Sequence, residues 1–291
     1  MSEGRTRAVA TMLAAVATFS LMDAGLKLLS ADYPSMQVAA LRGGASLPLI
    51  LAWALLTTGW RSLLRVRWPL HLLRAVLGVI MIAAFVHGVR TLPLSTTYSI
   101  FFAAPVLITA LSGPFLGERI GRPRWTAIVT GLGGVLIVLR PTGEGMMTTA
   151  GLAVLLSALA YAVAAITVRV LARTDSAQAM VLWLMVGMAV GAGALAARGW
   201  IPVRGEHVWL IAGVGVAGAL GQYAITEAFR TGEASLLAPL EYSALLWGTA
   251  LDLALWHVLP DRATWIGAAV IVASGIYLLR REAVHVEDAH P

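Results

Sequence analysis

The 291-residue chain has no cysteine, a single lysine (Lys27), and only 12% Asp, Glu, Lys and Arg. Without cysteine there is no disulfide and no thiolate metal site. A phosphate-binding loop ending in Gly-Lys-Ser/Thr and a His-Glu-x-x-His motif are both missing, so ATP-driven transport by this chain alone has no support in the sequence. So few charges cannot clothe a water-soluble domain. What fills their place is apolar: 59% of the residues, with a mean hydropathy of +0.81.

A membrane-spanning helix needs about 20 apolar residues. Ten such stretches lie near 8–29, 34–57, 71–91, 95–117, 124–139, 150–171, 178–197, 208–229, 235–258 and 263–279. They are continuously apolar and not alternating, which points to helices and away from barrel strands. Short loops join them and leave no room for a soluble domain. The first stretch follows Met1–Arg7 as a signal peptide would, but Asp23, Lys27 and nine further spans mark it as a retained helix. The net charge of +6 and pI near 10.3 do not indicate nucleic acid. Counted by alternate sides, Arg5, Arg7, Arg230, Arg280, Arg281 and the arginines of 61–74, 119–124 and 169–173 share one side. The other side has Lys27, Arg90, Arg140, Arg198, Arg204 and Arg262. The positive-inside bias therefore predicts a multi-pass protein of the cell inner membrane with both termini cytoplasmic.

Shifted by 140 residues, the chain matches itself. Gly78, Arg90, Thr91, Ser95, Thr109-Ala110-Leu111, Arg122 and Trp125 meet Gly218, Arg230, Thr231, Ser235, Thr249-Ala250-Leu251, Arg262 and Trp265. With Ala84/Ala224 and Ala104/Ala244 there are 11 identities in 48 ungapped positions, where chance would give roughly four. An odd number of spans per copy turns one copy upside down, a plan typical of secondary transporters. The expected architecture is all-α and integral to the membrane: ten helices as two inverted five-helix repeats. Residues 1–140 form the first repeat and 150–291 the second, joined by the loop 141–149, where Pro141, Gly143 and Gly145 fall.

The chain resembles the drug/metabolite transporter superfamily in its EamA-type, ten-helix form. The resemblance is carried by Leu116-Gly117-Glu118-Arg119, about a helix length after Pro105, followed by Trp125, Gly131 and Gly134. The second half keeps Trp265 and Gly275 but has His257-Val258-Leu259 where Gly117-Glu118-Arg119 would recur. The resemblance implies an inner-membrane metabolite exporter, most similar to the aromatic amino-acid branch. Helices one to four and six to nine would surround a central cavity, with the fifth and tenth outside.

Ionisable groups at membrane depth cost a few kcal/mol when unpaired, so each needs a role. They are Asp23, Lys27, Arg42, His87, Glu227, Glu241 and Asp252. Asp23 and Lys27 are four residues apart on one helix face, in the favourable order for a pair. They read either as a cavity anchor for a solute carboxylate or as a self-neutralised pair, with Lys27 alternatively snorkelling to the interface. Arg42 reads as the partner of an acid on a neighbouring helix. Gln222, Tyr223, Thr226 and Glu227 make a polar stripe, and His87 is the repeat counterpart of Glu227. Pro105 and Pro239 each remove a backbone donor and should loosen the fourth and ninth spans; Glu241 and Asp252 lie in the ninth. Tyr98, Phe101, Phe102, Tyr161, Tyr223 and Tyr242 offer ring surfaces within spans. Trp60, Trp68, Trp125, Trp200 and Trp209 are assigned to the interfacial belts. Gly213-Val214-Gly215-Val216-Ala217-Gly218 fits a dinucleotide fingerprint but lies inside a span, so close helix packing is its expected use.

These features predict a secondary transporter that exports small metabolites, amino acids and aromatic or hydrophobic ones first, by alternating access. Substrate contacts would come from Asp23, Lys27, Arg42, His87, Tyr98, Phe101, Phe102, Tyr161, Tyr223, Glu227, Glu241 and Tyr242, with Pro105 and Pro239 as kinks. No cofactor, metal or nucleic acid is expected, and the partners are a small solute and lipid. The alternative is a membrane enzyme acting on lipid or isoprenoid substrates. It would need clustered acids with a metal or a His/Asp pair beside a loop, and His71, His87, His207 and His257 lie in separate spans or loops without paired spacing to carboxylates.

Overall fold

The computed structural model describes residues 3–116, 122–139, 148–231 and 238–287, and among them helix is the only regular structure. The side chains of Pro105, Arg169, Glu227 and Pro239 lie outside what it describes. The first half contains α1 (Glu3–Leu29), α2 (Ser35–Thr58), the short α3 (Trp60–Leu64), α4 (Trp68–Thr91), α5 (Leu94–Phe101), α6 (Ala103–Leu116) and α7 (Arg122–Leu139). The second contains α8 (Thr149–Leu171), α9 (Ala177–Gly187), α10 (Gly193–Ala196), α11 (Val208–Thr231), α12 (Ala244–Leu251) and α13 (Arg262–Glu287). Each of the ten apolar stretches is mostly helical over its described residues. Six of the described helical stretches are long and apolar enough to cross a membrane: 6–29, 35–58, 68–91, 149–168, 177–199 and 205–225.

Two stretches that are partners in the repeat are broken, each near a proline. The fourth divides at Phe102 into α5 and α6. Pro105 follows three residues later and cannot donate to the carbonyl of Phe101. The ninth begins as a 3₁₀ segment (Ala238–Ser243) around Pro239, continues as α12, and ends in a π segment (Asp252–Trp256). A second π segment, Met188–Ala192, joins α9 to α10. Such irregular turns cluster at functional positions.

The main helix pairs join one half to the other: α1 with α11, α4 with α8, α7 with α13, α2 with α9 and α11, and α5 with α12. Polar contacts fix the direction of the chain. One face holds the ends of α1, α4 and the ninth stretch, where Lys27, Leu92 and Asp252 meet. The opposite face holds the start of α4 and the turn after α8, where His71 meets Asp175. The first helix of one half thus ends where the first helix of the other begins, which is the inverted arrangement. We call these ends the Lys27 face and the His71 face.

Small residues permit the close approach. A Cβ on Gly215 would meet the carbonyl of Ala45 at 2.5 Å, and the carbonyl of Gly215 itself accepts from Ser46 Oγ at 3.1 Å. The glycine-rich run in α11 is therefore a helix-packing surface, with no strand before it.

Candidate functional site

Asp252 opens the π segment and is fully buried. Its carboxylate accepts from the Leu94 amide at 2.9 Å, the Ser95 amide at 2.8 Å and Ser95 Oγ at 2.7 Å. Leu94 and Ser95 begin α5, so a carboxylate from the second half caps a first-half helix, where the N-terminal dipole favours a negative charge. Lys27 completes the arrangement: Nζ lies 3.4 Å from Asp252 Oδ1, donates to the Leu92 carbonyl at 3.0 Å and stands 4.3 Å from the centre of the Trp256 ring. The pairing of Lys27 with Asp23 offered by their sequence spacing is not the one formed. Lys27 is paired across the halves, and Asp23 accepts from Tyr98 Oη at 2.8 Å.

Arg42 is also buried, with Nε 3.3 Å from Met22 Sδ and Nη1 3.4 Å from Met188 Sδ. It interacts electrostatically with Asp23, though not at ion-pair distance. The expected acid on a neighbouring helix is thus Asp23, met by longer-range attraction, while two of the guanidinium N–H groups reach methionine sulfurs. A Cβ on Gly248 would stand 2.7 Å from the Tyr98 ring, so α12 leaves that ring the room it needs.

Aromatic rings continue from Tyr98. Phe85 stacks on Tyr98 at 6.4 Å between centroids and meets Phe101 edge-on at 5.9 Å. Phe101 lies 5.4 Å from Tyr161, and Phe102 meets Tyr242 at 5.0 Å. Glu241 interacts electrostatically with both Tyr161 and Tyr242. The structure therefore gathers Asp23, Lys27, Arg42, Tyr98, Phe101 and Tyr161 into one connected layer, and Phe102, Glu241 and Tyr242 into an adjoining one. His87 and Tyr223 are set apart: His87 is exposed, and Tyr223 is half exposed with its ring against Trp53. The side chain of Glu227 is not among those described.

Asp252, Ser95 and Trp256 are absent from the substrate contacts expected of the sequence. Asp252 was visible as a membrane-depth acid, and Ser95 as half of the Ser95/Ser235 repeat pair. The facing of Asp252 does not follow from a single helical phase, because the stretch changes from 3₁₀ to α to π within a few turns. The histidines also differ from expectation. His71 Nε2 lies 2.8 Å from Asp175 Oδ2, and His207 Nε2 lies 3.8 Å from Asp32 Oδ2.

A helical bundle of inverted halves, with ionisable groups buried at a broken-helix crossing, is the architecture of a secondary transporter. The chain belongs to the EamA-like transporter family, matching it in two consecutive segments, residues 6–140 and 148–281. It is similar to the riboflavin transporter of Vibrio cholerae serotype O1, with 30% identity over 276 residues, 93% of this chain and 92% of the relative. The pseudopaline exporter CntI of Pseudomonas aeruginosa is 26% identical over 264 residues, 90% and 92% of the two chains. The S-adenosylmethionine uptake transporter of Rickettsia conorii is 24% identical over 220 residues, 76% and 74%. A solved crystal structure shares the fold at a TM-score of 0.66 and 19% identity, covering 95% of this chain and 99% of that one. The chain is a multi-pass membrane protein and a secondary transporter of this family.

Proposed function

We propose that the chain exports a small metabolite bearing an ionic group and a ring or apolar side chain, with amino acids of the aromatic type as the leading class. The observation that carries this reading is the juxtaposition of Asp23, Arg42 and Lys27 with the Tyr98–Phe85–Phe101–Tyr161 rings. A zwitterion needs a cation for its carboxylate, an acid for its ammonium and a flat surface for its side chain, and these elements lie together. The names of the relatives cover riboflavin, pseudopaline and S-adenosylmethionine. They broaden the class to ring-bearing and polar metabolites and include movement in both directions. The arginine distribution supports placing both termini and the His71 face in the cytoplasm. Domain limits of 1–140 and 150–291, and a working unit of ten spanning helices, belong to the same proposal.

An enzymatic role on lipids is less well supported. The one short His–carboxylate contact among the described residues joins side chains that are each 2% exposed, where no lipid reaches them.

The test is counterflow in proteoliposomes, with phenylalanine, tyrosine, tryptophan and riboflavin offered in turn. Aromatic amino-acid exchange that falls at least tenfold in Tyr98→Ala is the expected result. Exchange of riboflavin alone would replace the amino-acid assignment. Flux unchanged in Tyr98→Ala, Asp23→Asn and Glu241→Gln would overturn the site.

A further inference from the structure

A cavity of about 320 Å³ opens at the Lys27 face, lined by Lys27, Arg90, Thr91, Pro93, Trp256 and Val258 among others. Among the described residues its lining contains two cations and no acid. Asp252, the carboxylate that neutralises Lys27, is fully buried behind it. An anion arriving in this vestibule therefore meets positive charge and an indole ring, and no repelling carboxylate in the lining.

We propose that this vestibule is a second solute subsite, selective for a carboxylate attached to an aromatic ring, and that its occupation releases the latch closing this face. Three contacts carry the latch. Lys27 binds Asp252 and the Leu92 carbonyl, tying α1 to the ninth stretch and to the end of α4, and one turn deeper Asp23 and Tyr98 tie α1 to α5. Lys27 is the exchangeable member. Asp252 keeps three bonds of 2.7–2.9 Å from Leu94 and Ser95, and its contact with Lys27 is the long one, at 3.4 Å. Withdrawing Lys27 leaves Asp252 its three α5 donors, so what exchange must replace is the charge pair alone, which an incoming carboxylate re-forms with Lys27. A solute carboxylate offers Lys27 an equivalent charge, Arg90 lies beside it in the same lining, and Trp256 supplies a face for a ring. Trp256 already carries Lys27 over its ring, so a ring entering there competes with the ammonium for that face. The repeat does not duplicate the device: the position equivalent to Asp252 is Ser112. At that position the first repeat offers no carboxylate.

The proposal deepens the transport reading, but its test reads accessibility and not flux, so the two can fail separately. The chain has no cysteine, and Ala24→Cys introduces one thiol. Ala24 is buried at 4% exposure, one helical turn inward of Lys27. Thr91→Cys, exposed at the vestibule rim, reports which membrane orientation presents the Lys27 face to an impermeant maleimide. In that orientation, millimolar benzoate should speed labelling of the Ala24→Cys thiol at least threefold, and benzyl alcohol should not. Adding Lys27→Gln should raise the basal rate similarly and remove the benzoate response. Acceleration by both compounds or by neither overturns the proposal. A benzoate response that persists with Lys27→Gln overturns it as well. The benzoate comparison uses Ala24→Cys with Lys27 intact, so it decides the matter even if Lys27→Gln does not fold.

Discussion

At the His71 face, His71 Nε2 and Asp175 Oδ2 stand 2.8 Å apart and both side chains are 2% exposed. At the Lys27 face, His207 Nε2 and Asp32 Oδ2 stand 3.8 Å apart, with side chains 19% and 32% exposed. The two pairs occupy related places: each aspartate follows the first long helix of one half, and each histidine stands at the start of the third long helix of the other. Their neighbours make the difference. Tyr33 Oη lies 2.8 Å from His207 Nδ1, and Arg204 Nη1 donates to Asp32 at 3.0 Å, so both members of the loose pair are otherwise engaged. Among the described residues, Asp175 has no ion-pair partner but His71, and it accepts further from the Arg67 amide and from Thr174 Oγ1. Inverted duplication thus repeats the placement of partners, while local residues set how tightly each face is held. The Lys27 face, with its slack histidine, relies on the Lys27–Asp252 pair.

The sharpest way to break that contrast is Asp252→Ala. It strips the acceptor from Lys27, from Ser95 Oγ and from two α5 amides, and should cost about 3–5 kcal/mol, seen as a lower thermal midpoint in detergent. His71→Ala should follow at about 2–3 kcal/mol, because Asp175 keeps its other donors but loses a buried partner. Acid gives a third test. Burial opposes charge on the Asp175 carboxyl, but the hydrogen bonds from Thr174, the Arg67 amide and His71 outweigh it and hold its pKa below the usual value. A depressed native pKa adds stability that is present above the unfolded value and lost as pH falls through the native one. The gap in thermal midpoint between parent and Asp175→Asn should therefore be full at pH 7 and close below about pH 4. His207→Ala should matter least, at under about 1 kcal/mol. An equal loss in His207→Ala and His71→Ala would erase the difference between the faces.

Much of this was legible in the sequence, for identifiable reasons. Apolar length marked the helices, the 140-residue match marked the inverted plan, and Pro105 and Pro239 marked the broken fourth and ninth stretches. These are local or self-referential signals. The partner of Lys27 was not legible, because Asp23 is four residues away and Asp252 is 225 away, and only the folded chain chooses between them. Arg42 was expected to face an acid on a neighbouring helix, and Asp23 of α1 is within its electrostatic reach; its contacts with Met22 and Met188 were not legible, since sulfur contacts leave no charge pattern to read. Tyr223 shared a helical stripe with Glu227, yet half of its surface is exposed beside Trp53. A stripe gives direction around one helix and not the identity of what stands opposite.

The pairing of α1 with α11 and of α4 with α8 has a bearing on how the protein is made. Leu29 ends α1 long before Val208 begins α11 in the growing chain. The early helices therefore enter the bilayer with their small-residue faces and buried charges unmatched, and must be sheltered until the second half emerges. A ribosome paused between the two halves would leave Lys27 and Arg42 in lipid without Asp252 or Met188. The contacts that complete the first half's buried charges are thus supplied only once the second half has been made.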